Sequence, residues 1–203
     1  MPARLPAPVV LLIHEWWGLN DQIKAVAVEF ADQGYIAVAV DLMNGQIAKD
    51  AAQAQAQSQG VKPEEATDSM TSWADWARNH QDSTRKLATV GWCFGGGWSL
   101  NTAVATPVDA AVIYYGRCNL PTEQLAKLKG PVLGHFATRD KFINEAMVAT
   151  FEANMKAAAK PYTVHWYEAD HAFANPTGNN YDREDAQLAW TRTMDFLGRN
   201  VKA

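Results

Sequence analysis

The chain has 203 residues, 48% of them apolar and 20% charged, with a formal net charge of -4. That supports one ordinary core and stays below the ~250–300 residues at which chains divide, so a single domain over 1–203 is expected. The mild acidity provides no basic face for nucleic acid or a membrane surface, which leaves a small molecule as partner and a monomer or small homo-oligomer as assembly.

Val9 to Ile13 is a continuous aliphatic run, the mark of a strand covered on both faces in a parallel sheet. It is far shorter than the ~20 residues of a membrane span, and no secretory leader precedes it. With only two cysteines, Cys93 and Cys118, the chain reads as cytoplasmic. The run ends at His14-Glu15-Trp16-Trp17-Gly18. Asn20 is placed as the N-cap of a helix with Ile23, Val26, Ala27, Phe30 and Ala31 on one face, stopped by Gly34. Tyr35 to Val40 is a second strand, followed by Asp41 in a loop. The Ala/Gln-rich stretch from Ile47 to Gln59 has helix propensity and little to bury, so it reads as an exposed helix or flap. After Pro63 a helix places Ala66, Met70, Trp73, Ala77 and His80 on one face. Leu87 to Val90, Ala110 to Tyr115, Pro131 to Phe136 and Tyr162 to Tyr167 are further strands. Helices are expected after the third strand to about Ala105, after Asn144 with Met147, Phe151, Met155 and Ala158 inward, and from Arg183 to Asn200. In the last, Ala186, Trp190, Met194, Leu197 and Val201 face the core. Strands alternating with amphipathic helices predict an α/β fold, a doubly wound and mostly parallel sheet with helices on both faces.

Within this pattern, Gly91-Trp92-Cys93-Phe94-Gly95-Gly96-Gly97 joins a strand to a helix through Gly-x-Cys-x-Gly. That is the spacing of a nucleophile elbow, with sulfur in place of the serine oxygen. Glycines two positions to either side let strand and helix cross, and a helix N-terminus favours a thiolate. The plainer alternative is a buried structural cysteine in a glycine-rich turn. A dinucleotide fingerprint is excluded because Cys93 stands where the middle glycine must admit the pyrophosphate.

Ligands of open α/β sheets bind beyond the carboxyl ends of the strands. The polar residues there are Glu15, Asp41, Cys93, Arg117, Asp140 and His171. A thiol hydrolase requires a nucleophile, a base and an acid that orients the base. Cys93, Asp140 and His171 follow the nucleophile, acid, histidine order of α/β-hydrolases. His14 and His135 lie at or in strands and read as packed, His80 ends a helix, and His165 sits within a strand. Asp170 competes with Asp140 for the acid, but adjacent to the histidine it would point elsewhere. Glu15 follows the first strand where such folds supply one oxyanion N–H, with a solvent-facing glutamate as the alternative.

Taken together, His14-Glu15-Trp16-Trp17-Gly18-Leu19-Asn20, Gly91-Trp92-Cys93-Phe94-Gly95-Gly96, Tyr114-Tyr115-Gly116, the Asp140 loop and His165-Trp166-Tyr167-Glu168 running into His171-Ala172-Phe173-Ala174 resemble the dienelactone hydrolase family. The resemblance spans nearly the whole chain. It implies an α/β-hydrolase fold and a Cys93, His171, Asp140 triad, and the chain departs from it in an N-terminus expected to be shortened. It also implies a Glu15 that contacts the resting thiol, and backbone N–H groups of Trp16 and Phe94 as the oxyanion hole. No metal or organic cofactor is expected. Trp17, Trp92, Arg117, Phe173 and Asn175 are the candidate substrate-binding residues. The characterised lactonases hold the substrate carboxylate with two arginines, one just after the His-x-Phe-Ala segment. Here that position is Asn175, and no arginine occurs between Arg4 and Arg78. The expected activity is therefore cysteine-dependent hydrolysis of a small lactone or ester through a thioester. A promiscuous carboxylesterase or thioesterase, and a catalytically silent binding protein, are the alternatives.

Overall fold

A computed structural model describes residues 1–202 of the chain. The first aliphatic run forms β1 (Ala7–Ile13), buried at every position. It is joined by β2 (Ile36–Val40), β3 (Ser83–Trp92), β4 (Ala110–Tyr114), β5 (Val132–Ala137) and β6 (Tyr162–Tyr167). The order across the sheet is β2-β1-β3-β4-β5-β6, and every neighbouring pair is parallel. All strand carboxyl ends therefore lie on one edge, with β1 and β3 central enough to be covered on both faces.

The helices are α1 (Asp21–Asp32), α2 (Ala51–Gly60), α3 (Pro63–Asn79), α4 (Phe94–Ala105), α5 (Thr122–Leu125), α6 (Glu145–Ala157) and α7 (Arg183–Val201). Successive β1 side chains feed opposite layers, as the two-residue strand period requires. Val9, Leu11 and Ile13 pack in one layer with Met70 and Ala74 of α3, Leu100 of α4 and Phe151 of α6. Val10 and Leu12 pack in the other with Ile23 and Phe30 of α1 and Ala189 and Leu197 of α7. The expected N-caps are made: Asn20 accepts from the Ile23 N–H at 3.3 Å and Asn144 from the Met147 N–H at 3.0 Å.

Four elements differ from the sequence expectation. β3 starts at Ser83, because the exposed polar residues Thr84 to Lys86 carry no apolar signal while their backbone already lies in the sheet. On α3 the buried stripe is Ala66, Met70, Ala74 and Ala77, while Trp73 is 38% exposed. Small alanines let that helix sit close to the sheet and turn the indole outward. On α7 the core positions are Ala189, Thr193, Phe196, Leu197 and Val201, with Ala186, Trp190 and Met194 half-buried beside them. The single-turn α5 has too few residues to show a period. The Ala/Gln stretch forms α2 as expected, and only Ala54 of it is buried.

A polar chain crosses the second layer. Arg192 donates to the Tyr167 hydroxyl at 3.1 Å, which leaves the hydroxyl proton for Nδ1 of His135, 2.8 Å away. Nε2–H of His135 then donates to Thr193 Oγ1 at 3.0 Å, and Thr193 meets the Tyr114 hydroxyl at 2.7 Å. Burial, with His165 and Arg192 adding to it, holds His135 well below the usual histidine range, so it stays neutral in the fold. An unfolded histidine protonates below about pH 6.5, so the stability tied to a neutral His135 is present above that pH and lost as pH falls through it. His14, also lowered by burial, acts in the same sense, and Glu15, raised by burial, acts against them. Between about pH 6.5 and 5.5, urea unfolding should show the His135 contribution falling toward acid by at most ~1.4 kcal/mol per pH unit, whereas above pH 6.5 His171, raised to about 10 although its burial opposes this, pulls the other way. In His135→Gln the acid-side slope should be shallower whatever the change in midpoint.

Candidate active site

The site begins with a backbone crossing at the carboxyl edge of the sheet. Cys93 stands between β3 and α4 with φ 53° and ψ -114°, a left-handed-side conformation that side chains other than glycine rarely adopt. A Cβ on Gly91 would overlap the Gly95 carbonyl, and one on Gly95 would overlap the carbonyls that end β1. Gly96 meets Gly116 across the end of β4 in the same way. The turn is pinned by the Cys93 N–H donating to the Tyr114 carbonyl at 3.0 Å and the Gly96 N–H donating to the Cys93 carbonyl at 3.0 Å. The sulfur is thereby lifted over the sheet edge, half-buried, at the N-terminus of α4.

Asp140 and His171 arrive from neighbouring strands, β5 and β6. Pairing continues past the strand ends, where Thr138 N–H donates to the Tyr167 carbonyl at 2.9 Å and Arg139 N–H to the Ala169 carbonyl at 3.0 Å. Asp140 Oδ1 accepts from the N–H groups of Phe142 at 2.7 Å and Ile143 at 3.0 Å, which fixes the carboxylate. Its Oδ2 lies 2.6 Å from His171 Nδ1, and His171 Nε2 lies 3.1 Å from Cys93 Sγ. Burial works to lower the His171 pKa, but the hydrogen bonds to Asp140 and Cys93 outweigh it and raise it to about 10. Burial works to raise Asp140, and the His171 bond with the two backbone N–H groups outweighs that, holding it low. Asp170 turns away and pairs with Arg139 at 3.2 Å, both half exposed.

Glu15 is not the solvent-facing alternative: it is 4% exposed. No hydrogen bond joins it to the thiol that the resemblance has it contact. Its Oε2 accepts from Asn175 Nδ2 at 2.6 Å and its Oε1 from the Tyr115 hydroxyl at 3.3 Å. Burial raises the Glu15 pKa, opposed by those two donors and by His171. His14 sets the backbone beneath it. His14 Nε2 accepts from the Leu42 N–H at 3.1 Å, so the ring proton is on Nδ1 and donates to the Glu15 carbonyl at 2.6 Å.

A model of the family described as "Dienelactone hydrolase family" matches residues 1–201. The chain belongs to the dienelactone hydrolase family. It is 32% identical over 211 residues to a carboxymethylenebutenolidase of Pseudomonas putida, covering 97% of this chain and 87% of that one. A dienelactone hydrolase-like promiscuous phosphotriesterase from metagenomic libraries superposes with a TM-score of 0.89 at 23% identity, over 98% of this chain and 88% of the other. An esterase of Thermogutta terrifontis does so with a TM-score of 0.72 at 17% identity, over 98% and 83%. At those identities the two structures share the fold. The family makes this chain a dienelactone hydrolase-like hydrolase.

Against that family frame, the expected substrate-binding residues divide. Trp17 is half-buried beside Trp16, their rings 5.3 Å apart. Three placements require correction. Trp92 is buried in the core, stacked on Tyr114 at 5.4 Å. Phe173 is fully buried behind Tyr115 and Tyr167, at 5.4 and 4.8 Å. Asn175 is buried, with one amide N–H given to Glu15 and its oxygen accepting from the Thr177 N–H and hydroxyl. The Arg117 side chain is exposed, and its backbone borders Gly97. Sequence reasoning missed two residues at the site. Tyr115, with φ 39°, bridges Glu15 and the His171 ring, 5.2 Å away, and its signal was its place at a strand end before Gly116. Phe142 lies edge-on to His171 at 5.5 Å while 73% exposed, and no periodicity marks it. Among the described residues, no group of three or more His, Cys, Asp or Glu is arranged to hold a metal ion, and no helix is long and apolar enough to cross a membrane.

The geometry separates the two thiols. Burial closes off Cys118 and pushes its pKa up to about 12, whereas Cys93 is reachable. Native alkylation mapped by mass spectrometry should mark Cys93 first, and Cys118 only after unfolding. The crossing makes a second prediction. Gly95→Ala should destabilise the fold by ~3 kcal/mol or more because the new methyl meets backbone. Gly198→Ala, on α7 with nothing within 4 Å, should instead stabilise by ~0.5–1 kcal/mol in the same urea assay.

Proposed function

We propose that the protein hydrolyses a small lactone or activated ester through a thioester on Cys93. The observation that carries this reading is the continuous pair of hydrogen bonds from Asp140 through His171 to the sulfur of a residue held in an elbow. His171 in its protonated form donates Nδ1–H to Asp140 and Nε2–H to a Cys93 thiolate. The thiolate attacks the substrate carbonyl, and the oxygen gains the displaced electron pair. The N–H groups of Trp16 and Phe94 are the proposed donors to that oxyanion. In support, neither has an acceptor among the described residues. Collapse breaks the carbonyl-to-alkoxide bond, and the departing alkoxide takes the Nε2 proton. In a lactone the resulting alcohol stays tethered. Water then gives a proton to Nε2 as its hydroxide adds to the thioester. The thiolate leaves again, beside the reprotonated imidazole, and the carboxylic acid product ionises to solvent.

Asp140 is proposed as a positioning residue, holding the imidazole in one tautomer and offsetting its charge. Glu15, drawn onto Asn175 and Tyr115, leaves the sulfur free to pair with His171. The test is turnover of p-nitrophenyl acetate. Cys93→Ala should abolish both the burst and the steady rate. Asp140→Asn should lower kcat by ~10³–10⁴-fold, by analogy with serine triads, and Asp170→Asn by less than about twofold. An undiminished rate in Cys93→Ala, or no covalent acyl adduct by mass spectrometry of rapidly quenched enzyme, refutes the reading.

A further inference from the structure

We propose that the site selects uncharged esters with an apolar acyl or alcohol arm and discriminates against substrates that bring a carboxylate to the thiol. The inference rests on the hydrolase reading for its substrate class, and on three separate observations for its charge preference.

The first is the environment of Glu15. This buried carboxyl belongs to the same cluster as Cys93 and His171, and its hydrogen-bond partners, Asn175 and Tyr115, are both neutral. Among the described residues no lysine or arginine is bonded to Glu15 or Asp140. The second is the placement of the cations on the neighbouring loops. Arg139, on the Asp140 loop, is drawn outward into an exposed pair with Asp170, Lys141 is exposed, and Arg117 is exposed beyond the first turn of α4. The imidazolium of His171 is already shared between Asp140 and Cys93. An incoming carboxylate would therefore meet a second carboxyl and a thiol sulfur with no free counter-charge, in a setting screened less than bulk water. The third is Phe142. Its backbone N–H donates to Asp140 at 2.7 Å, which anchors its main chain beside His171. Its ring stands 73% exposed and 5.5 Å from the His171 ring, a large apolar surface presented at the reacting centre. An exposed aromatic whose main chain is anchored by a buried carboxylate is suited to cover the apolar part of a bound ester.

The experiment compares p-nitrophenyl hydrogen adipate with p-nitrophenyl methyl adipate, whose remote ends are a carboxylate and its neutral methyl ester, each rate divided by spontaneous hydrolysis. At low ionic strength kcat/KM should favour the methyl ester by on the order of tenfold or more, and the gap should narrow with added salt. Glu15→Gln should narrow it in ratio whatever its absolute rate. Phe142→Lys, at an exposed position that tolerates substitution, should raise the relative rate of the acid ester, and Phe142→Ala should raise KM for the methyl ester. A parallel arm needs no turnover: Cys93 should show a larger preference for iodoacetamide over iodoacetate than free N-acetylcysteine does. If neither ester is turned over but that preference holds, the hydrolase reading fails and the charge selectivity stands. Equal use of the two esters with an alkylation ratio matching the free thiol overturns the selectivity.

Discussion

The close approach of the α4 backbone to the ends of β1, β3 and β4 is the constraint from which the site follows. Three strand ends and one helix start converge where a single Cβ would separate them, and Gly91, Gly95, Gly96 and Gly116 remove that Cβ. Only with the helix seated there does Cys93 take its left-handed backbone conformation and point over the sheet edge. Every other site residue is positioned relative to that point. β4 brings Tyr115 to it, β1 brings Glu15, and the parallel order of β5 and β6 delivers Asp140 and His171 side by side. Parallel pairing matters because it puts all these carboxyl ends on one edge, so short loops suffice to close the constellation.

Much of this was legible in the chain itself. Fully covered strands read as unbroken aliphatic runs, and Val9 to Ile13 is buried throughout for that reason. The elbow was legible because glycine, at positions that side chains cannot occupy, is a steric record of the crossing. That Cys93, Asp140 and His171 would share one edge of the sheet followed from the rule that ligands of such sheets bind at strand ends. Asp140 and Cys93 each lie within hydrogen-bond reach of His171, on its two ring nitrogens.

What stayed hidden depended on which way a side chain faces. Trp92 and Phe173 flank site residues in sequence, yet alternation along a strand and the turn after His171 send both into the core. Asn175 looks like a surface loop residue until the fold folds its loop back against Glu15. Trp73 and Ala74 are adjacent, and the choice of which one packs depends on how close α3 lies to the sheet, a tertiary fact that no single-helix pattern contains. The early part of β3 is a strand by backbone pairing with exposed polar side chains, so hydropathy had nothing to report there.

His14 has a consequence beyond packing. Its imidazole joins the exit of β2 to the loop that carries Trp16, by accepting a hydrogen bond from one backbone and donating one to the other. That arrangement exists only for the neutral ring. A second proton on Nε2 would face the Leu42 N–H donor against donor, with the Asp41 carboxylate 3.7 Å away as the ready alternative acceptor. The ring would then have cause to swing from the main chain toward Asp41, releasing Leu42 and loosening the segment above it. Acid would in this way disorganise the loop of Glu15 and Trp16 while the sheet beneath is still intact, so that loss of function and loss of fold need not share one titration.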